Sequence, residues 1–436
     1  MERSSLKEIT VGKHLLKTTD TNSMNAIYNT AILAYSKLVK TAALWNRKAR
    51  LMTEGQAKTM QTIRAKFKPD DHPVWIHAAS LGEFEQGRPI IERIRSRFPD
   101  RKILLTFFSP SGYEVRKNYD GADVICYLPF DTIGNVLSFF RYVRPEMAFF
   151  IKYEFWKNYI RACRHYHIPV YSVSSIFRPN KIFFRWYGRG YASVLRMVDH
   201  FFVQDEESAR LLSTLGISRN VTIVGDTRFD RVMDIQRAAR PLPELDQFRQ
   251  QADYVFIAGS SWPPDEELIL NYFNAHPEMK LILAPHVIDE RHLRQIESRV
   301  KRPCVRYTTA DKSRLSESDC VIINCFGLLS SIYRYADIAY VGGGFGAGIH
   351  NVPEAAVYGI PVIIGPNNKG FKEAQDLLAL GGCFEISNQP EFNQTVDSLV
   401  SDERMRRERG HISGDYISHN AGAADLIFSK LGLDIH

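Results

Sequence analysis

Val74-Trp75-Ile76-His77-Ala78-Ala79-Ser80-Leu81-Gly82-Glu83-Phe84-Glu85 runs from a short apolar stretch, through a serine and a glycine, into an acid-led helical pattern. It reads as a strand, a tight turn and a helix start. Further apolar runs at 102–108, 123–130, 146–151, 168–173, 200–204 and 220–226 are mostly separated by helix-length segments. Strands spaced this way predict a parallel sheet covered on both faces. After Arg237 two prolines and mixed charges interrupt the pattern, and the alternation restarts at 254–261, 279–286, 320–326, 337–344 and 360–366. The expected fold is α/β, with two Rossmann-like domains facing across a cleft. Its predicted parts are a flexible extension over 1–23, a basic amphipathic segment over 24–68, domains over 69–236 and 249–436, and a linker over 237–248. The second domain is expected to end in helices.

The chain has 436 residues, 44% of them hydrophobic and 24% charged, which suits two globular domains and excludes disorder, collagen-like repeats and a multi-span membrane protein. Six scattered cysteines show no metal-ligand or CxxC spacing and read as reduced core thiols. The first twenty residues lack the apolar core of a secretory signal, so export is not expected. Ile27, Leu33, Leu38, Ala42 and Trp45 fall near helical spacing, interrupted by Lys37 and Lys40. Such a helix lies on a membrane surface rather than crossing it. Between residues 26 and 68 nine cations, among them Lys37, Lys40, Arg47, Lys48 and Arg50, meet the single acid Glu54. That local charge of +8 accounts for the whole chain's +7, so an anionic lipid surface fits better than nucleic acid; a solvated helix on its own domain is the plain alternative.

In open parallel sheets ligands bind beyond the carboxyl ends of strands. On those ends Ser80 suits a cap and Glu83 either a general base or a helix-capping acid. Glu154 opens the next candidate helix, and Arg228, in Gly225-Asp226-Thr227-Arg228, reads as a phosphate-binding cation or as a salt-bridge partner of Asp226 or Asp230. In the second half Ser260 and Ser261 form a phosphate cradle, and His286 is a phosphate donor or a structural ring. The densest glycine run, Val341 to Glu354, brings Gly343 and Gly344 toward a ligand, with His350, Asn351 and Glu354 at a helix start. Its GxGxxA match alone is weak evidence for a dinucleotide site. No GxxxxGK[ST], HExxH or DxD pattern occurs, and no metal or cofactor is expected.

Taken in order, these motifs resemble the 3-deoxy-D-manno-octulosonic acid (Kdo) transferases of Gram-negative bacteria. The family's A-S-x-G-E is similar to Ala79-Ser80-Leu81-Gly82-Glu83, and its E-T-E-L-W-P-N to Lys152-Tyr153-Glu154-Phe155-Trp156-Lys157-Asn158, where the first acid is a lysine. G-N-x-K-F-D resembles Gly225 to Asp230, G-S-T-H resembles Gly259-Ser260-Ser261-Trp262, and G-G-H-N-x-x-E resembles Gly348 to Glu354. Two stretches depart: A-P-R-H is reduced to Ala284-Pro285-His286, without the arginine, and N-A-R-L-S is poorly kept at Val173 to Arg178. The resemblance implies the GT-B architecture and inverting transfer of Kdo from CMP-Kdo to a lipid A precursor at the cytoplasmic face of the inner membrane. Glu83 would be the base, with Glu154 and Arg228 beside it. Another nucleotide sugar, or a non-catalytic membrane-bound scaffold, stays open as an alternative. So do the number of Kdo units and the oligomeric state.

Overall fold

The computed structural model describes residues 22–68 and 70–433. They form two compact units, one running to Arg231 and resuming at Gly422, the other spanning Val232–Ala421. Each is built on its own seven-stranded sheet, and every ladder is parallel.

The first sheet takes β1 (Val74–Ala78), β2 (Ile103–Phe107), β3 (Val124–Tyr127), β4 (Met147–Ile151), β5 (Val170–Ser175), β6 (His200–Val203) and β7 (Val221–Ile223) in the order β3-β2-β1-β4-β5-β6-β7. All seven strands were legible as apolar runs. The residues of β1 and β2 are buried throughout, as a sheet covered on both faces requires. On one face Trp75 lies against Phe139, Phe140, Phe150 and Tyr159, and its indole N–H donates to Thr106 Oγ1 at 2.8 Å. A buried indole otherwise lacks a partner, so this hydrogen bond lets the largest core side chain sit inside the sheet.

The second sheet takes β8 (Tyr254–Ser261), β9 (Met279–Pro285), β10 (Cys304–Arg306), β11 (Cys320–Ile322), β12 (Ile338–Val341), β13 (Val362–Ile364) and β14 (Cys383–Glu385), ordered β10-β11-β9-β8-β12-β13-β14. The pattern at 254–366 predicts five of these. β10 and β14 escape it because each is a three-residue edge strand ending on a charged residue, too short to show a period. The first sheet's strand order reverses between β1 and β4; in the second the chain builds one side from β8 and the other from β12, with β11 inserted between β9 and the edge strand β10.

Three boundaries differ from the sequence reading. The unit border falls within the Arg228–Ala238 helix, and the expected linker over 237–248 is largely occupied by the Pro243–Gln250 helix, whose Leu245 and Phe248 are buried. The last helix, Ala423–Lys430, belongs to the first unit: Ala423, Ala424, Ile427 and Phe428 join the core that holds Val74, Ile76 and Ile91. Asp230 receives the N–H groups of Gly422 and Ala424 at 3.0 and 3.4 Å, and Arg93 pairs with Asp425 at 2.9 Å, which fastens the returning chain.

The basic segment over 24–68 is two helices, Asn22–Ala42 and Arg47–Lys66, rather than one surface element. The second is part of the first unit, burying Met52, Gln56, Thr59 and Ile63; Thr59 Oγ1 donates to the carbonyl of Tyr127 at 2.8 Å. The first docks through polar and aromatic side chains: Asn25 and Ser36 are buried, Asn29 accepts from Asn158 at 2.8 Å, Tyr28 donates to the buried Asp131 at 2.6 Å, and Tyr35 meets Phe130 edge-on at 5.6 Å. The extension read over 1–23 lies outside the described residues, except for Asn22 and Ser23 at the start of this helix. All six cysteines are free; Cys304 and Cys325 are only partly buried.

Because Phe428 fills the first unit's core, Phe428→Ala should weaken that unit by about 3–5 kcal/mol. Amide hydrogen exchange would then accelerate in β1 and β4 and stay unchanged in β8 and β12; acceleration confined to the second sheet would contradict the assignment.

Candidate functional site

The loops that follow β1 and β4 leave the first sheet at its point of strand reversal, where ligands of open parallel sheets bind. Ser80 is the N-cap of the Leu81–Arg97 helix, but its hydroxyl makes no capping bond. Glu83 does that work: its carboxylate accepts the Ala79 N–H at 2.6 Å. The capping alternative therefore describes its geometry, yet the same carboxyl is half-buried and its pKa is pushed up to about 7. Loss of water is the main cause, and the charge of Glu154 adds to it; the Ala79 N–H, Lys152 and the Ser80 N–H pull the other way.

Glu154 is fixed by the Trp156 indole, which donates to it at 2.7 Å. That same N–H lies 3.1 Å from Nε2 of the fully buried His77, whose Nδ1 meets Thr106 Oγ1 at 2.9 Å and the Thr106 carbonyl at 3.1 Å. A strand residue thus buttresses the second acid from beneath. Lys152 and Ser174 hold left-handed backbone, with φ of 58° and 52°. Each such residue costs about 1–3 kcal/mol, and strain of this kind concentrates at working sites. Arg228 does not extend alone: its side chain pairs with Asp226 at 2.9 Å, and Asp226 in turn accepts from Gln86 at 2.9 Å. The salt-bridge reading holds in this structure.

The second sheet presents loops after β8 and β12 at its own reversal. Ser260 has φ of 52° where β8 slips register. Ser261 is buried, and its hydroxyl donates to Glu266 at 3.0 Å, so it belongs to the Glu266–His292 pair rather than to an open cradle. Gly343 and Gly344 are explained by loop packing. A Cβ on Gly343, at φ 96°, would fall 2.5 Å from the Gly348 carbonyl oxygen, and one on Gly344 would fall 2.6 Å from Gly365 Cα. Their lack of a side chain lets loops approach one another. Asn351 donates to Glu354 at 2.8 Å at the head of a helix only five residues long, Val352–Ala356, too short to build much of a dipole.

Three rings gather on this rim. Trp262 donates its indole N–H to His350 Nε2 at 3.0 Å, and His286 stacks on both, with centroids 4.7 Å from Trp262 and 4.5 Å from His350. Asp265 holds the arrangement. Its buried carboxylate takes the Trp262 N–H at 2.8 Å, the Gly343 N–H at 3.0 Å and the Tyr340 hydroxyl at 2.7 Å. Among the described residues no group of three or more His, Cys, Asp or Glu could hold a metal ion.

A family model described as 3-Deoxy-D-manno-octulosonic-acid transferase (kdotransferase) matches residues 46–231. A 3-deoxy-D-manno-octulosonic acid transferase from Haemophilus influenzae is 25% identical over 377 residues, covering 83% of this chain and 87% of its own. One from Aquifex aeolicus is 27% identical over 359 residues, covering 79% of this chain and 91% of its own. Over most of its length the chain is thus similar to 3-deoxy-D-manno-octulosonic acid transferases, and residues 46–231 match that family's model. It is a glycosyltransferase. A UDP-GlcNAc 2-epimerase from Neisseria meningitidis, at 15% identity and a TM-score of 0.56, covers 83% of this chain and shares its two-sheet α/β fold.

Residue-by-residue reading of this transferase missed Asp265, His77 and the part played by Trp262. Asp265 had a local signal, an acid three residues into a helix that opens Pro263-Pro264. His77 had none, because a strand histidine looks the same whether or not it braces a carboxylate.

Below about pH 7 a protonated Glu83 cannot accept a proton, so kcat/KM of the transferase should rise through that pH. Glu154→Gln removes a like charge and should move the rise to lower pH; Lys152→Met removes an opposite charge and should move it higher. A profile that ignores both substitutions would show that another group titrates.

Proposed function

We propose that this enzyme transfers Kdo from CMP-Kdo to a hydroxyl of a lipid A precursor, with inversion at the anomeric carbon, at the cytoplasmic face of the inner membrane. The observation that carries the reading is Glu83, a half-buried carboxyl raised to about 7 at the strand reversal of the first sheet. A base whose pKa lies near the working pH is ionised in a substantial share of molecules and still takes a proton readily. Glu83 removes the acceptor hydroxyl proton as the oxygen attacks the anomeric carbon, and the bond to the CMP phosphate breaks. Such proton removal is worth about 10²–10⁴-fold, and charge stabilisation supplies much of the rest. Arg228 contributes its guanidinium to the departing phosphate once drawn from Asp226. His286, His350, Ser260 and the Gly343-Gly344 backbone bind the nucleotide end, with Asn351 and Glu354 on its hydroxyls. No metal or cofactor is required, a reading supported by the lack of a DxD pair.

The membrane part rests on the first helix. It docks through polar and aromatic side chains and leaves Ile27 66% and Leu38 69% exposed, with Leu44 and Trp45 exposed at its end. A helix that turns its apolar side outward beside Lys37, Lys40, Arg47 and Lys48 suits an anionic bilayer surface. Among the described residues no helix is long and apolar enough to cross a membrane. Arg50 is partly committed elsewhere, donating to the carbonyls of Ala43 and Leu44 at 3.1 and 3.2 Å.

Glu83→Gln should lower kcat with CMP-Kdo and a lipid A precursor by about 10²–10⁴-fold while calorimetric binding of CMP is kept. Full turnover in that variant, or preference for UDP over CMP, would overturn the reading. Neutralising Lys37, Lys40, Arg47 and Lys48 should weaken co-sedimentation with phosphatidylglycerol vesicles, and added salt should mimic the loss. Binding indifferent to both would make the segment a solvated face.

A further inference from the structure

The three-ring group of the second unit has a chemistry that its separate residues do not show. An indole N–H can only donate, so the 3.0 Å contact from Trp262 requires a lone pair on His350 Nε2. His350 is therefore neutral, with its proton on Nδ1. Burial and the neighbouring His286 also hold its pKa below the ordinary imidazole value, against the pull of Asp265. Trp262 and His350 lie edge to edge, and the ring of His286 covers both, at 23° to the indole and 25° to the imidazole. His286 is exposed, and among the described residues neither of its ring nitrogens makes a hydrogen bond.

These facts separate the two histidines. A second positive charge on His350 would break its hydrogen bond and repel a charged His286, whereas a proton on His286 breaks nothing. An imidazolium over an indole face gains cation–π attraction, and a phosphate dianion in hydrogen-bond reach attracts an imidazolium more strongly than a neutral imidazole, so its arrival favours the protonated ring. The ionisable groups facing the stack are His350, on the loop after β12, and Asp265, on the Pro263–Ala275 helix. Both Asp265 oxygens are already engaged by Trp262, Gly343 and Tyr340.

We infer that His286 is the phosphate-reading cation of this site, binding a nucleoside monophosphate dianion as its imidazolium, so that ligand binding takes up a proton from solvent. Trp262 is the positioning residue: it covers that imidazolium and keeps His350 neutral. The inference rests on the second unit being the CMP-sugar site, and it adds that donor affinity is linked to pH through a titrating ring instead of a permanently charged guanidinium. One proton taken up per ligand steepens affinity by at most tenfold for each unit of falling pH.

Titration calorimetry of the full chain with CMP at pH 7.5, in two buffers of different ionisation enthalpy, counts the protons. Wild type should take up a measurable fraction of one proton, His286→Gln none, and Trp262→Phe less than wild type with weaker binding. His350→Asn should weaken CMP binding and still take up as many protons per CMP bound as wild type. Cytidine, which has no phosphate, should bind without uptake. Failure of wild type to bind CMP would remove the donor-site reading and this inference together. CMP binding with no proton uptake, or with the same uptake in His286→Gln, would overturn this inference and leave the donor site standing.

Discussion

A parallel strand can reach its neighbour only through a crossover, and where the direction of crossing reverses, two adjacent loops diverge and leave a crevice at the carboxyl edge of the sheet. Both sheets obey this constraint, at β1 and β4 and at β8 and β12. Nearly everything chemical in the molecule is arranged around those two points. Glu83 follows β1 and Glu154 follows β4; Trp262 follows β8, and the glycine loop ending at His350 follows β12. The apolar burial that stabilises each sheet and the polar groups gathered at its edge are thus products of one topology.

The two edges handle charge differently. In the first unit a pair of carboxylates is kept close, and the environment raises one of them by withholding water. The supporting residues, His77 and Trp156, do not touch that carboxyl; they hold its partner in place. In the second unit the buried Asp265 accepts from three donors and so organises the loops around it. What remains exposed there is aromatic and weakly basic. This division suits a reaction in which one substrate loses a proton and the other loses an anion.

The attachment of the first helix shows how an ordinary rule can run in reverse. Soluble helices bury their apolar stripe, but this one is held by Tyr28 on Asp131 and Asn29 on Asn158, and its apolar side faces away from the core. Hydrogen bonds give it a defined orientation without consuming the surface it offers. The following helix follows the usual rule, which is why a single basic segment in the sequence divides into two helices held in different ways.

All seven strands of the first sheet and the five inner ones of the second were legible in the sequence, because a buried parallel strand must be a continuous apolar run. So were Glu83, Glu154 and the glycine loop, since polar residues and glycines interrupting such runs stand out. The short edge strands were not, nor was the return of Phe428 to the first core, because amphipathic periodicity says that a helix has a buried side and not what it is buried against. The roles of Ser261, Arg228 and the glycines were likewise decided only in three dimensions, where Glu266, Asp226 and neighbouring backbone proved to be their partners. By itself the sequence determined which elements form and which residue types reach the strand ends, since those follow from local pattern. The tertiary structure decided which of them are committed to one another and which are left to meet a ligand, since that depends on contacts between residues far apart in the chain.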